Sequence, residues 1–238
     1  MTGSVRAART HEMVLTHIED ELIAGRLRIG GKLPAERTLA GQLGVSRPSI
    51  REAVRILEAL GVIRTGTGSG PDSGAVIVAE PSAGIGAALR MHLASSHLPI
   101  EDLVQTRILL EAWTTREAAV QQDHAQLAVA AGLLDAMDSP GLPAPEFNAL
   151  DADFHVALAG ATGNQVVAAT MSALRGAIES YVLASVPQLP DWTRTSRRLR
   201  RQHRAILTAI ETGDGELASR LVVRHIEGFY AEAKLGSG

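Results

Sequence analysis

The chain of 238 residues contains no cysteine. Disulfides, thiolate catalysis and cysteine-ligated zinc are therefore excluded. Aromatic residues are scarce, at 3%. Sheets usually recruit aromatic and β-branched side chains, so an alanine-rich chain this poor in rings favours closely packed helices. No continuous run approaches the roughly 18 apolar residues of a bilayer span, and the N-terminus carries no apolar signal core. The expectation is a soluble, cytoplasmic protein with no membrane partner. Hydrophobic residues make up 45% and charged residues 21%, enough apolar surface to fold rather than remain disordered. The length suits one large or two modest domains.

A net charge of −3 is unfavourable for binding a polyanion until the charges are located. Eight basic residues (Arg26, Arg28, Lys32, Arg37, Arg47, Arg51, Arg55, Arg64) lie between Leu22 and Arg64, against three acids, Glu36, Glu52 and Glu58. The basic footprint is local.

Apolar spacing predicts a helix from about Thr10 to Ala24, a short one behind Pro34, and a longer one after the Gly44-Val45 turn. Ser46 reads as the N-cap of that third helix, and Pro48 sits in its first turn, where a missing N–H does no harm. Its buried face is expected to hold Ile50, Val54, Leu57, Ile56 and Leu60, with Gly61 closing it. Two β-branched runs, 62–64 and 75–78, flank a glycine-rich stretch and read as a β-hairpin. Beyond Pro81 the period is helical, with helices expected near 83–96, 100–122, 124–138, 145–160, 164–186, 191–212 and 214–235. Short breaks between them imply an antiparallel bundle. The expected fold is mainly α, a winged helix-turn-helix over residues 1–80 followed by an all-helical bundle over 81–238.

In that element order the helix after Gly44-Val45 enters the major groove of double-stranded DNA with its first residues toward base edges. Those residues are Ser46, Arg47, Ser49 and Arg51. An arginine fork suits guanine O6 and N7, while short hydroxyls and free N–H groups suit phosphate. Arg37 reaches the same groove or its rim, and the hairpin tip around Thr67 and Gly68 lets backbone approach the minor groove. A small helical domain with solvated arginines would show the same spacing.

In the second half, Asp151 and His155 stand one helical turn apart. His203 falls among Leu199, Ile206 and Ile210, and His225 between Leu221 and Phe229, each within an apolar stripe. Buried carboxylate and imidazole are costly unless compensated, and a divalent metal compensates them. Three histidines and one carboxylate suit zinc, as well as iron, nickel, cobalt or manganese. Each coincidence singly is also what an ordinary surface pair or core histidine gives. Arg107 lies on the stripe of Ile100, Leu103 and Leu110, where a guanidinium needs an anion. Either Glu111, one turn on, is that anion, or Arg107 clamps the carboxylate of a small ligand.

The stretch Leu33–Ala40, then Val45–Ala53 and Leu57–Gly61, resembles the reading head of the GntR family of transcription regulators. That resemblance implies DNA contacts from Arg37, Arg47 and Arg51, and a homodimer on a pseudo-palindromic operator. The second half is similar to the effector domain of the FadR subfamily at Thr106–Glu111, Asp151–His155, Gly163-Asn164, Gln202–Leu207 and Arg224–Ile226. In metal-binding members the ligands fall where Asp151, His155, His203 and His225 stand, with zinc the usual cation, and acyl-CoA sensors lack that set. Thr67–Pro71, Arg107–Trp113, Leu189–Trp192 and His225–Tyr230 further resemble lactate-responsive repressors of the family. This implies L-lactate as effector; release of the operator on effector binding is the expected response, and the Glu80–Gly84 junction, with Pro81 and two nearby small residues, is the expected hinge. Two rivals are a metal-dependent hydrolase with an appended DNA-binding domain, for which Asp153 or Glu179 would be the base, and a DNA-binding protein with a vestigial sensor.

Overall fold

A computed structural model describes residues 3–66, 74–95 and 99–233, with side chains from residue 10 onward. The described chain is mainly helical, with one two-stranded sheet, and falls into two compact units, Met1–Ile85 and Gly86–Gly238.

The first unit holds helices α1 (Gly3–Ile23), α2 (Glu36–Leu43) and α3 (Arg47–Ala59), then strands β1 (Ile63–Gly66) and β2 (Gly74–Ile77). Helix α2 ends where Gly44 takes φ 64°, and α3 begins at Ser46, whose side chain accepts from the Ser49 N–H. The strands pair antiparallel with Ile63 opposite Ile77, and Lys32 bridges to Val76. Val14 and Ile18 of α1, Leu39 of α2, Ile50, Ala53 and Leu57 of α3, and the Ile63/Ile77 pair close one core. Leu60 does not join it, being 51% exposed. It lies past the last turn of α3, and Ala53 takes the buried place. Gly61 follows at φ +70°, where a Cβ would come within 2.1 Å of the Glu80 carbonyl oxygen.

Helix α4 (Pro81–Ala94) crosses the boundary between the units. The segment expected as a hinge is therefore helical from Pro81, because proline at a first helical position needs no N–H partner. The second unit continues with α5 (Ile100–Gln121), α6 (His124–Met137), α7 (Ala144–Gly160), α8 (Gln165–Ser185), a 3-10 turn (Val186–Gln188), α9 (Trp192–Glu211) and α10 (Gly215–Ala233). Helix α10 packs on α5 and α9, and α7 on α6 and α8. Asp123, Asn164 and Asp191 cap α6, α8 and α9 with side-chain oxygens on first-turn N–H groups. The Gln165–Gln188 stretch is long and apolar enough to cross a bilayer by composition. Its Met171, Leu174, Ile178 and Val182 belong to the bundle core. Most apolar positions of the unit merge into that core, but α5 also buries Arg107, Glu111, Thr114 and Thr115. Of this polar seam, Arg107 and Glu111 adjoin the candidate site.

Candidate metal centre and DNA-reading surface

Three helices deliver four donors to one point. Asp151 and His155 come from successive turns of α7, His203 from α9 and His225 from α10, all buried. One donor atom from each lies within 4.8 Å of all the others. His203 Nε2 is 3.0 Å from Asp151 Oδ1 and 3.2 Å from His225 Nε2, and His155 Nε2 is 4.0 Å from Asp151 Oδ2. Ligands about 2.0–2.1 Å from a tetrahedral cation stand roughly 3.3 Å apart. Two of these separations are close to that edge, and His155 stands slightly outside it.

The electrostatics suit a cation. Burial would raise the Asp151 carboxyl, but the facing His203, His155 and His225 hold it well below the ordinary carboxylate range. Burial pushes His203 down against the opposing pull of Asp151. It pushes His225 down further, with His203 and His155 adding to the effect. The set thus offers an ionised carboxylate and, at His203 and His225, imidazoles that burial keeps neutral. His225 Nδ1 lies 3.2 Å from Gln202 Oε1, a contact that leaves Nε2 turned to the centre. Both His155 nitrogens and His203 Nδ1 lack a hydrogen-bond partner, a costly condition in a buried place. The donor set and its orphaned atoms fit a divalent metal.

Arg107 stands beside this cluster. It is 3% exposed; its Nε donates to Glu111 Oε1 at 2.6 Å and its Nη1 to Tyr181 Oη at 3.3 Å. Burial works against the charge of both Arg107 and Glu111. Their attraction outweighs it, raising the guanidinium and holding the Glu111 carboxyl at about 2 with help from His155. Burial pushes the Tyr181 phenol up to about 12. Glu111 Oε2 is 2.6 Å from His155 Nδ1, though the two are not aligned for a hydrogen bond. Arg107, Asp151 and His225 share one cavity, walled by Asn148, Trp192 and Phe229 among others. Its free space, about 10 Å³, admits about one water. Glu111 is therefore the partner of Arg107, while the guanidinium also borders the cavity. Asp153 and Glu179 are tied instead to Arg175, at 2.6 Å and 3.4 Å.

The titrating groups set a pH dependence for metal-free protein. An unfolded histidine titrates near 6.5, and His203 and His225 lie below that when folded. Below about 6.5 the unfolded chain takes up protons that the folded one refuses, so stability falls with pH. Glu111 adds a contribution present above its ordinary 4.5 and lost toward about 2. Chelator-treated protein is expected to melt several degrees lower at pH 5.5 than at pH 7.5; equal midpoints would refute this origin.

In the first unit, Ser46, Arg47 and Arg51 sit exposed at the start of α3, Ser49 is part-buried among them, and Arg37 is exposed on α2. Ser46 Oγ and Ser49 Oγ are 2.9 Å apart. Glu36 accepts from Arg51 Nε at 2.9 Å and stands 3.7 Å from Arg47, a pairing that spacing alone did not show. Thr67 and Gly68 lie outside the described residues.

A winged helix-turn-helix with an attached helical effector domain defines a DNA-binding transcription regulator. Residues 10–71 match the bacterial regulatory proteins of the gntR family, and residues 102–228 match the FCD domain. The chain belongs to the GntR family, in the FadR-like group that carries an FCD domain. It is 31% identical over 205 residues to the "Putative L-lactate dehydrogenase operon regulatory protein" of Escherichia coli K12, covering 84% of this chain and 77% of that one. It is 29% identical over 221 residues to the Glc operon transcriptional activator of the same organism, covering 90% and 85%. Identity to the HTH-type transcriptional repressor NanR of Edwardsiella tarda is 30% over 233 residues, covering 92% and 84%. Streptococcus agalactiae GntR has the same fold, with a TM-score of 0.66 at 24% identity over 98% of this chain and all of that one. The family and these relatives are transcription regulators, which removes the hydrolase reading.

Proposed function

We propose that the protein is a cytoplasmic homodimeric repressor whose second domain binds a divalent metal and a small hydroxycarboxylate, L-lactate, that releases it from operator DNA. The observation that carries this reading is that four metal-type donors converge within 4.8 Å of one another, and that two of those residues, Asp151 and His225, border one cavity with the buried Arg107. Asp151, His155, His203 and His225 would hold the cation, zinc in this reading. When bound, it offers a Lewis-acidic position to a carboxylate and its α-hydroxyl. Arg107 holds the remaining carboxylate charge, kept in place by Glu111 and Tyr181. Trp192, in the cavity wall, belongs to the Leu189–Trp192 piece that resembles lactate-responsive repressors. One relative is also named for an L-lactate dehydrogenase operon.

DNA is read within residues 1–80 by Arg47 and Arg51, with Ser46 and Ser49 on phosphate and Arg37 at the rim; Thr67 and Gly68 approach the minor groove. The effector acts by preferring the arrangement that does not fit the operator. A hundredfold preference is worth about 2.7 kcal/mol. The test uses zinc-loaded protein on operator DNA selected from a random duplex library. Release is expected as L-lactate rises through the millimolar range. Full retention at that level, with metal stoichiometry verified, would exclude the effector.

A further inference from the structure

Resting on the metal and carboxylate reading above, we infer that Glu111 is a positioning residue that presets both halves of the effector site, the arginine and a metal-holding histidine, through its two carboxylate oxygens. Glu111 is 2% exposed on the polar seam of α5. Were it present only to neutralise Arg107, the planar guanidinium would take both oxygens as a fork, the favoured arrangement of such pairs. It does not. Oε1 takes Arg107 Nε at 2.6 Å, and Oε2 lies 2.6 Å from His155 Nδ1, close enough for the pair to close into a hydrogen bond although the two are not aligned for one here. The opposite nitrogen of His155 faces Asp151.

A carboxylate behind a metal-ligating histidine fixes the ring and raises its basicity, and losing it typically costs 10–100-fold in metal affinity. On the other side, engaging Nε leaves the rest of the guanidinium to Tyr181 and the cavity. His155 and Arg107 come from different helices, α7 and α5, and Glu111 touches both. The arrangement predicts that its loss weakens metal and effector together.

The test is Glu111→Gln, close in shape but unable to serve both partners as a carboxylate. Zinc affinity, read by competition with a chromogenic chelator in the absence of lactate, is expected to fall roughly 10–100-fold. L-lactate affinity at saturating zinc, read by calorimetry, is expected to fall at least about tenfold, the scale of a lost charge-assisted contact. The nitrogen resonance of His155 Nδ1 in histidine-labelled protein should shift as well, which a purely structural role would not require. Should the buried Arg107 prevent Glu111→Gln from folding, the charge-neutral pair Arg107→Gln/Glu111→Gln must show the same loss of zinc affinity. If wild-type protein takes neither zinc nor lactate, the functional reading has failed and this inference with it. If wild type binds both, the inference alone is overturned by a variant that keeps either affinity within about threefold, or by a double variant with wild-type zinc affinity.

Discussion

Replacing His203 and His225 together with glutamine is expected to abolish metal retention and leave a protein that still binds its operator but no longer answers L-lactate. What remains is Asp151 and His155 on one helix, with His155 Nε2 4.0 Å from Asp151 Oδ2, too few donors to close a site around a cation. Each direct ligand should be worth at least the roughly 10–100-fold that outer partners are worth, so the pair should lower affinity by about 100-fold or more. Glutamine preserves volume and a polar atom in positions 0% and 3% exposed, limiting the cavity penalty that alanine would add. Operator binding should survive because the first unit closes its own core from Val14 to Ile77. Metal analysis and an operator-shift titration decide the matter. Stoichiometric metal together with normal lactate release in the double variant would falsify the centre.

The second large effect belongs to the reading surface. Arg47→Ala with Arg51→Ala is expected to weaken specific operator binding by roughly 2–6 kcal/mol, taking about 1–3 per base-reading arginine. Both side chains are more than half exposed, so the folded protein should melt at the wild-type temperature. Binding to unrelated DNA should weaken far less, since phosphate contacts set that floor. An equal loss on operator and random sequence would mean that the two arginines supply only charge. Glu36 sharpens the interpretation, because it engages Arg51 at 2.9 Å and approaches Arg47 at 3.7 Å in the absence of DNA. Some of the affinity of both arginines is therefore spent on parting from it.

Periodicity carried most of the fold. The seven helices expected beyond Pro81 appear with ends shifted by about two residues, because apolar stripes and Pro/Gly breaks are local signals. The misses arise where local signals stop. Leu60 has the right spacing for a buried face but follows the end of its helix. The spacing of Arg107 and Glu111 is a helical turn, so their pairing was legible. The turn of Glu111 Oε2 toward His155 was not, since it depends on how α5 packs on α7. Gln202 behind His225, Glu36 between two arginines, and Trp192 in the cavity wall are contacts of the same tertiary kind.

The cavity beside Arg107 has space for about one water, and lactate is larger than water. For the proposed effector to enter, side chains of the cavity wall such as Trp192 would have to part. Such gating would make association slower than diffusion. The regulator would then respond to sustained effector supply and average over brief fluctuations in it.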